Sequence, residues 1–478
     1  MIAAGGGRSM HPPTSLPHGM RAPQRTVARR NGHVGSGGLP HPPRHSDLAR
    51  RVLSVLGIAL RQTLPLLMPA RWRRTSGPVR LRRALETLGG GWIKLGQLLA
   101  LRFDLLPAEY CVELFNLLNR VAPIPYREVE QIVREELGQP VRELFASFER
   151  EPFGSASIGQ VHDAVLHDGR RVAVKVQRPG IGELLMNDIA LMYRLSRLAD
   201  WTHLLGGTRS REVIDELARW TRDELDYTIE AANAETMRAS VRDERTEYEP
   251  EVFPDYSTRR VLSTERLDGL LLVEVIRDLR ADRADCERRL QAAGYDLEQA
   301  AANVVWNFLG QAYDTGIFHG DLHPANLLIL PGNRIGYVDF GIIGRLPEAV
   351  HELLGRYAMR LFGGEAQAAV DDFLKWLRPS ASTNLLAARR EMTDLTERFL
   401  ADLENATSGR REILARYQID LLTAARGHRM VIDPAVILYV KVVLTIDAVT
   451  SELAPSLDVQ SIIERFFSQL IIEGISGE

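Results

Sequence analysis

Residues 319–341, HGDLHPANLLILPGNRIGYVDFG, decide how the rest of this 478-residue chain is read. Asp321 and Asn326 stand five residues apart in a short loop. Asn-Leu-Leu-Ile-Leu and Arg-Ile-Gly-Tyr-Val then read as two strands, and Pro331-Gly332-Asn333 between them is a turn signal. The spacing predicts a hairpin that returns Asp339 to the neighbourhood of Asn326 and Asp321. Three oxygen-bearing side chains at one end of two strands suit a hard cation such as Mg²⁺, with phosphate oxygens completing its shell.

The order D-x-x-x-x-N followed by D-F-G is that of the protein-kinase catalytic loop and metal motif. Upstream, GSASIGQVHDAVL and RRVAVKVQ alternate or run β-branched, and His167-Asp168-Gly169 joins them. That pattern predicts a hairpin with an Asp-Gly turn, with Lys175 pointing off the second strand. The small residues 154–157 let backbone N–H groups approach phosphate oxygens closely. Ser155, Ala156, Ser157 and Ile158 are therefore candidate nucleotide contacts. A strand lysine in a phosphate site needs an orienting carboxylate. A long helix is expected from Arg211 to about Met237; it bears Glu224, Asp226 and Glu230, and Glu224 is the candidate. Residues 261–267 (VLSTERL) read as a strand entering a linker, where a kinase hinge holds adenine by backbone groups, here near Glu265 and Leu267.

The remaining chain reads as mostly helical. Asp47 can cap a helix running through Leu48, Val52, Leu53, Leu56 and Leu60, with Arg44, Arg50 and Arg51 at its start. A basic amphipathic helix of this kind suits an anionic membrane surface. GGGWIKLGQLLALRFDLLPAEYCVELF predicts two helices, the second starting at Pro107. Gly96 lies mid-helix, where it costs about 1 kcal/mol relative to Ala, which implies close approach of another backbone or a ligand. Further helices are expected over 126–137, 187–205, 270–313 and 461–472, and throughout the segment after Gly341. Pro347-Glu348 follows D-F-G too soon for a full activation segment, so a protein-substrate platform is not expected.

Net charge is −3, which implies no electrostatic pull toward nucleic acid. Cys111 and Cys286 are the only cysteines and lie far apart, so a thiolate metal site is not expected. No window supplies the ~20 apolar residues of a membrane span. Residues 436–449 come near to one, but Lys441 and Asp447 interrupt them. Residues 1–46 are rich in Gly, Pro, His and Arg and lack an apolar run, which reads as a disordered tail rather than a secretory signal.

These motifs together resemble the UbiB-type atypical kinases, also called the AarF or ADCK family, over about residues 80–350. They are Lys94-Leu95-Gly96-Gln97, Ser157-Ile158-Gly159-Gln160, Val-Ala-Val-Lys ending at Lys175, Glu224-Leu225-Asp226-Tyr227, His319-Gly320-Asp321 with His323-Pro324-Ala325-Asn326, and Asp339-Phe340-Gly341. The resemblance implies an α+β, two-lobe protein-kinase-like fold. A helical N-terminal extension (47–145) would precede an N-lobe (146–267) and a helix-rich C-lobe (268–478). It implies that Lys175 contacts ATP phosphates and pairs with Glu224, that Asp321 is the catalytic-loop acid, and that Asn326 and Asp339 hold Mg²⁺. Lys94 and Gln97 would reach toward the nucleotide, with Asp226 a partner of Lys94. Gly154 stands where the family commonly has Ala, Ala325 where it has Gly, and the pair of C-terminal membrane helices found in many members is not read here.

The function this implies is an ATPase or small-molecule kinase using Mg-ATP in isoprenoid quinone (ubiquinone) synthesis or related lipid metabolism. Its expected partners are a lipid or quinone precursor, an anionic membrane surface and other quinone-synthesis proteins, in the cytoplasm or peripheral on the inner membrane. The alternative is a nucleotide-gated module that extracts or presents a membrane lipid and does little chemistry.

Overall fold

The computed structural model describes residues 76–103, 105–117, 122–201, 210–405 and 410–476, together with Gly57. The expected tail over 1–46 and, Gly57 apart, the basic helix begun at Asp47 lie outside the described residues.

The first described elements are three helices, α1 (Gly77–Leu88), α2 (Gly91–Ala100) and α3 (Ala108–Leu114). Pro107 caps α3, with the fixed φ that lets proline open a helix. Leu85, Ala100, Leu114 and Leu117 form a small shared core. Gly96 has its explanation here. A Cβ on it would overlap the side chains of Leu117 and Leu85, so glycine lets α2 seat against its neighbours. The close approach is made by two leucine side chains rather than by another backbone. At the other end of α2, the Gly91 amide donates to Asp188 at 2.8 Å, which fixes the helix start on α6 (Ile181–Trp201).

The N-lobe sheet has the order β1-β3-β4-β6, with β2 also on β3. Its strands are β1 (Ser147–Phe148), β2 (Gly154–Ser155), β3 (Gly159–Val165), β4 (Arg171–Gln177) and β6 (Val261–Glu265). β3 and β4 pair antiparallel through the expected Asp-Gly turn, with Val161 opposite Lys175. Side chains alternate across a strand. Val172, Val174 and Val176 are fully buried against Val129, Ile132 and Val133 of α4 (Tyr126–Leu137); beyond α4 runs the short α5 (Val141–Leu144). The alternation therefore turns Lys175 to the opposite face. That face is covered by the region expected as one helix over 211–237, which is in fact two, α7 (Ser210–Glu224) and α8 (Tyr227–Ser240). Asp226 is extended (φ −121°, ψ 94°) and caps α8, accepting the Thr228 amide and hydroxyl at 3.1 and 2.6 Å. An Asp that can satisfy an open helix N-terminus favours a new helix start over continuation.

The C-lobe sheet has the order β5-β10-β9-β7. It is built from β5 (Glu247–Tyr248), β7 (Leu270–Leu271), β9 (Leu327–Ile329) and β10 (Ile335–Tyr337). The expected hairpin is present, with Leu327 opposite Tyr337 and Ile329 opposite Ile335. β8 (Ile317–His319) pairs with β11 (Ile343–Arg345). Around these strands pack α9 (Leu272–Ala281), α10 (Arg283–Ala292), α11 (Leu297–Leu309), α12 (Glu348–Phe362), α13 (Ala366–Leu374), α14 (Leu385–Asn405), α15 (Arg410–Gly427), α16 (Pro434–Leu453) and α17 (Val459–Ser476). The segment after Gly341 is not wholly helical: besides β11 it holds a short pair, β12 (Leu377–Pro379) with β13 (Met430–Ile432). One large core joins α11 and α16 to the strands that carry the 319–341 motif. Both cysteines are buried, and neither forms a disulfide. No described helix is long and apolar enough to cross a membrane.

Candidate active site

Lys175 leaves β4 into a small buried cluster of charge. Its ammonium donates to both carboxylate oxygens of Glu230 on α8, at 2.6 and 2.8 Å, and to Asp339 Oδ2 at 3.1 Å. Burial opposes its charge, but Asp339 and Glu230 outweigh burial and hold its pKa well above the ordinary lysine value. Two carboxylates share this one ammonium. Glu230, the deeper of the two, is pushed up to about 7 by burial. Asp339 also meets burial, but Lys175 and the Gly341 amide at 3.0 Å hold it at about 2. Phe340 is buried in the core, and its carbonyl accepts from Asn233 of α8 at 3.0 Å, so the D-F-G segment is tied to the same helix as Glu230.

The catalytic loop is held from inside by His319. Its Nδ1 accepts the Asp321 amide at 3.1 Å, which leaves Nε2 to donate to the Asp339 carbonyl at 2.5 Å. The ring stacks on Tyr337, and burial lowers its pKa, so the neutral Nε2–H form fits both bonds. Asn326 donates through Nδ2 to the Asp321 carbonyl and to Asp321 Oδ2, both at 3.0 Å. Its Oδ1 is therefore the atom left for a cation. The Val338 amide donates to the Asn326 carbonyl at 3.1 Å, which sets Asp339 beside Asn326 as the hairpin register requires. Asp321 Oδ1 accepts from Lys441 of α16 at 2.8 Å. Burial pushes the Asp321 carboxyl up, but Lys441 more than offsets this and keeps its pKa below the ordinary value.

Two expected pairings, Lys175 with Glu224 and Lys94 with Asp226, are both replaced. Lys175 pairs with Glu230, and Glu224 instead bonds the buried Lys94 of α2. The cause is the break at Leu225-Asp226: with a new helix starting at Tyr227, Glu224 and Glu230 no longer share one helical frame. Asp226 is not the partner of Lys94, since it caps α8 and lies 3.5 Å from Arg259. Lys94 also lies over the Trp220 ring, at 5.9 Å from its centre. Gln97, one turn after Lys94, lies on the same side of α2 and is half-buried.

The small-residue loop is the turn of the β2–β3 hairpin. Ala156 donates to the Gly159 carbonyl at 2.8 Å, and Arg178 clamps the loop through the Ser155 hydroxyl (2.7 Å) and the Ala156 carbonyl (3.2 Å). Ser155 is exposed, Ala156 and Ser157 are half-buried, and Ile158 is buried in the core. At Gly154 an added Cβ would meet only Val161 at 3.6 Å, so the site has room for alanine. At the end of β6 the Glu265 amide is taken by the Glu251 carbonyl at 2.8 Å, and in the linker that follows Arg266 donates to the Leu267 carbonyl at 2.6 Å. The Glu265 carboxylate accepts from Tyr248 at 2.9 Å, and the Leu267 side chain packs in a small core with Leu328 and Leu330.

Residues 116–372, more than half of the chain, match the ABC1 atypical kinase-like domain. The chain belongs to this family. It is 32% identical over 445 residues to a "Probable protein kinase UbiB" of Cellvibrio japonicus, covering 88% of this chain and 77% of that protein. A protein of the same name from Marinobacter nauticus is 32% identical over 399 residues, covering 81% of this chain and 69% of the relative. Among solved structures, the Rv3197–erythromycin complex of Mycobacterium tuberculosis is similar in fold. Its TM-score is 0.51 at 23% identity, covering 86% of this chain and 98% of that one.

The strand lysine, the D-F-G segment and the catalytic loop are thus linked in one cluster, with three contributions that the sequence did not disclose. Glu230 was hidden because several acids on one expected helix cannot be told apart without its break. The linking role of His319 leaves no local signal beyond the motif itself. Lys441 showed only as a charge interrupting an apolar run, and it lies beyond the family-matching segment.

Proposed function

We propose that this chain binds Mg-ATP in the cleft between its lobes and turns it over as an ATPase or small-molecule phosphotransferase. Its service would be to isoprenoid quinone synthesis, as the UbiB relatives' name and the family resemblance suggest. The observation that carries this reading is the contact of Lys175 with both Glu230 and Asp339, since kinase chemistry needs the strand lysine, its orienting carboxylate and the D-F-G acid in place together.

The residues suit a magnesium nucleotide. Asn326 Oδ1 and the partly exposed Asp339 offer two hard oxygen ligands. Mg²⁺ characteristically takes one or two protein carboxylates or amides and fills its shell with phosphate oxygens and water. Among the described residues no cluster of three His, Cys, Asp or Glu offers a self-contained metal cage. When bound, the cation would neutralise charge on the phosphates. Lys175 would orient them, and the 155–157 turn would lie over them. Asp321 would take the proton of an attacking water or hydroxyl. As it does so the new O–P bond forms, and the bond to the bridging oxygen breaks with its electron pair leaving on ADP.

The acceptor is argued from α2. Lys94 is buried and bonded to Glu224, so α2 is locked onto the N-lobe. With so little chain between D-F-G and Pro347, a water or small acceptor suits Asp321 better than a peptide. The test is turnover of Mg-ATP by the full chain, alone, with anionic vesicles, and with a panel of generic peptide substrates. Phosphate release without peptide labelling supports the reading. Robust peptide phosphorylation overturns it.

A further inference from the structure

We propose that Lys441 is the cation of the catalytic loop: it positions Asp321 and faces the phosphoryl group being transferred, an inference that rests on the Mg-ATP reading above. Between His319 and Asn326 the loop carries no Lys or Arg of its own. The positive charge that meets Asp321 comes instead from α16, 120 residues downstream. Lys441 Nζ lies 2.8 Å from Asp321 Oδ1 and 3.3 Å from the Gly320 carbonyl. Asn326 holds the other carboxylate oxygen, at 3.0 Å, so Asp321 is fixed between the metal-side amide and this ammonium.

The helix itself argues against a merely structural lysine. Val440 and Val442 beside it are buried, as are Val436, Ile437 and Ile446, so α16 is already anchored by apolar packing. Bringing an ammonium into that surface costs desolvation that an apolar side chain would avoid. The Lys441–Asp321 pair is also not sealed: the side chains keep 16% and 35% of their exposure. An ammonium has three N–H donors, and the two contacts above leave one over. His323, the loop residue two after Asp321, cannot substitute. Its Nδ1 accepts the Ala325 amide at 3.1 Å, and burial lowers its pKa, disfavouring the charged ring.

The experiment compares the full-length wild type with Lys441→Met, Lys441→Gln and Lys441→Arg. It measures kcat and KM for Mg-ATP, equilibrium binding of Mg-ADP and of a Mg-bound non-hydrolysable triphosphate, and melting without nucleotide. The expected result for Lys441→Met is a kcat lower by roughly 100-fold, in the range seen when one charge-stabilising donor is removed. Mg-ADP affinity should hold, preference for the triphosphate should disappear, and Arg should restore part of both. If the Met variant fails to melt cooperatively, the Gln variant, which keeps a donor without charge, decides the case by the same readouts. Wild-type kcat with a lowered melting temperature would make Lys441 only a tether and overturn the inference, as would equal losses of ADP and triphosphate binding. A wild type that neither binds nor hydrolyses Mg-ATP overturns the nucleotide reading and this inference with it. An active wild type with a silent Met variant overturns this inference alone.

Discussion

His319 joins the two acids of the cleft, donating to the Asp339 carbonyl at 2.5 Å while accepting the Asp321 amide at 3.1 Å. The ring is fully buried. Catalytic loop and D-F-G segment are therefore tied together through one side chain. His319→Phe keeps a ring of similar size but leaves a buried amide and a buried carbonyl without partners. The expected cost is about 2–6 kcal/mol, at 1–3 kcal/mol for each orphaned group, together with loss of most Mg-ATP turnover. Denaturant unfolding and steady-state kinetics on one preparation check both. Unchanged stability would show that the two bonds contribute little.

The two lysine–carboxylate pairs make a paired prediction. Glu230→Gln should damage Mg-ATP binding, because Lys175 loses its orienting charge and is drawn to Asp339 alone. Glu224→Gln should leave Lys175 in place and act through Lys94 and α2, changing nucleotide affinity less. Lys175→Met should abolish turnover and cost about 3–5 kcal/mol, since it leaves buried charge unpaired. Titration of each variant with Mg-ATP, alongside melting curves, separates the three. A larger loss in Glu224→Gln than in Glu230→Gln would contradict the assignment.

How much of this was legible in the sequence depends on how local each signal is. The helix over 126–137 and both hairpins follow from apolar periodicity and turn residues, and the structure places them as read. Gly96 signalled close approach, but only packing shows that Leu85 and Leu117 make it. The acids of 224–230 were visible, yet their partners depend on one cap at Asp226, a tertiary choice over helix propensity. Lys441 meets Asp321 across 120 residues, a distance no local pattern spans.

A second acidic pair, Glu247 and Glu249, sets an expectation for pH; Glu247 accepts from Gln311, which in turn accepts the His319 amide. Glu249 is buried, and neither carboxylate oxygen has a partner. Burial, with Glu247 adding to it, pushes Glu249 up to about 9, and burial pushes Glu247 to about 7. The folded pKa of Glu249 lies above its ordinary value of 4.5. Its contribution to stability is therefore complete below about pH 4.5 and is lost as pH rises toward 9, on the order of 5 kcal/mol over that span. Glu249→Gln should remove this loss, so its melting temperature should gain on the wild type steadily from pH 5 to pH 9. Parallel curves for the two proteins would show that Glu249 ionises normally.

The central claim is that Asp339 and Asn326 hold a magnesium nucleotide against Lys175. Calorimetric titration of the wild type and Asp339→Asn with ATP, each with and without Mg²⁺, tests it most directly. The account predicts Mg²⁺-dependent binding by the wild type and its loss in Asp339→Asn, because a neutral amide is a poor ligand for a hard cation. Equal Mg²⁺-dependent affinity in the two proteins, or no binding by the wild type, would contradict it.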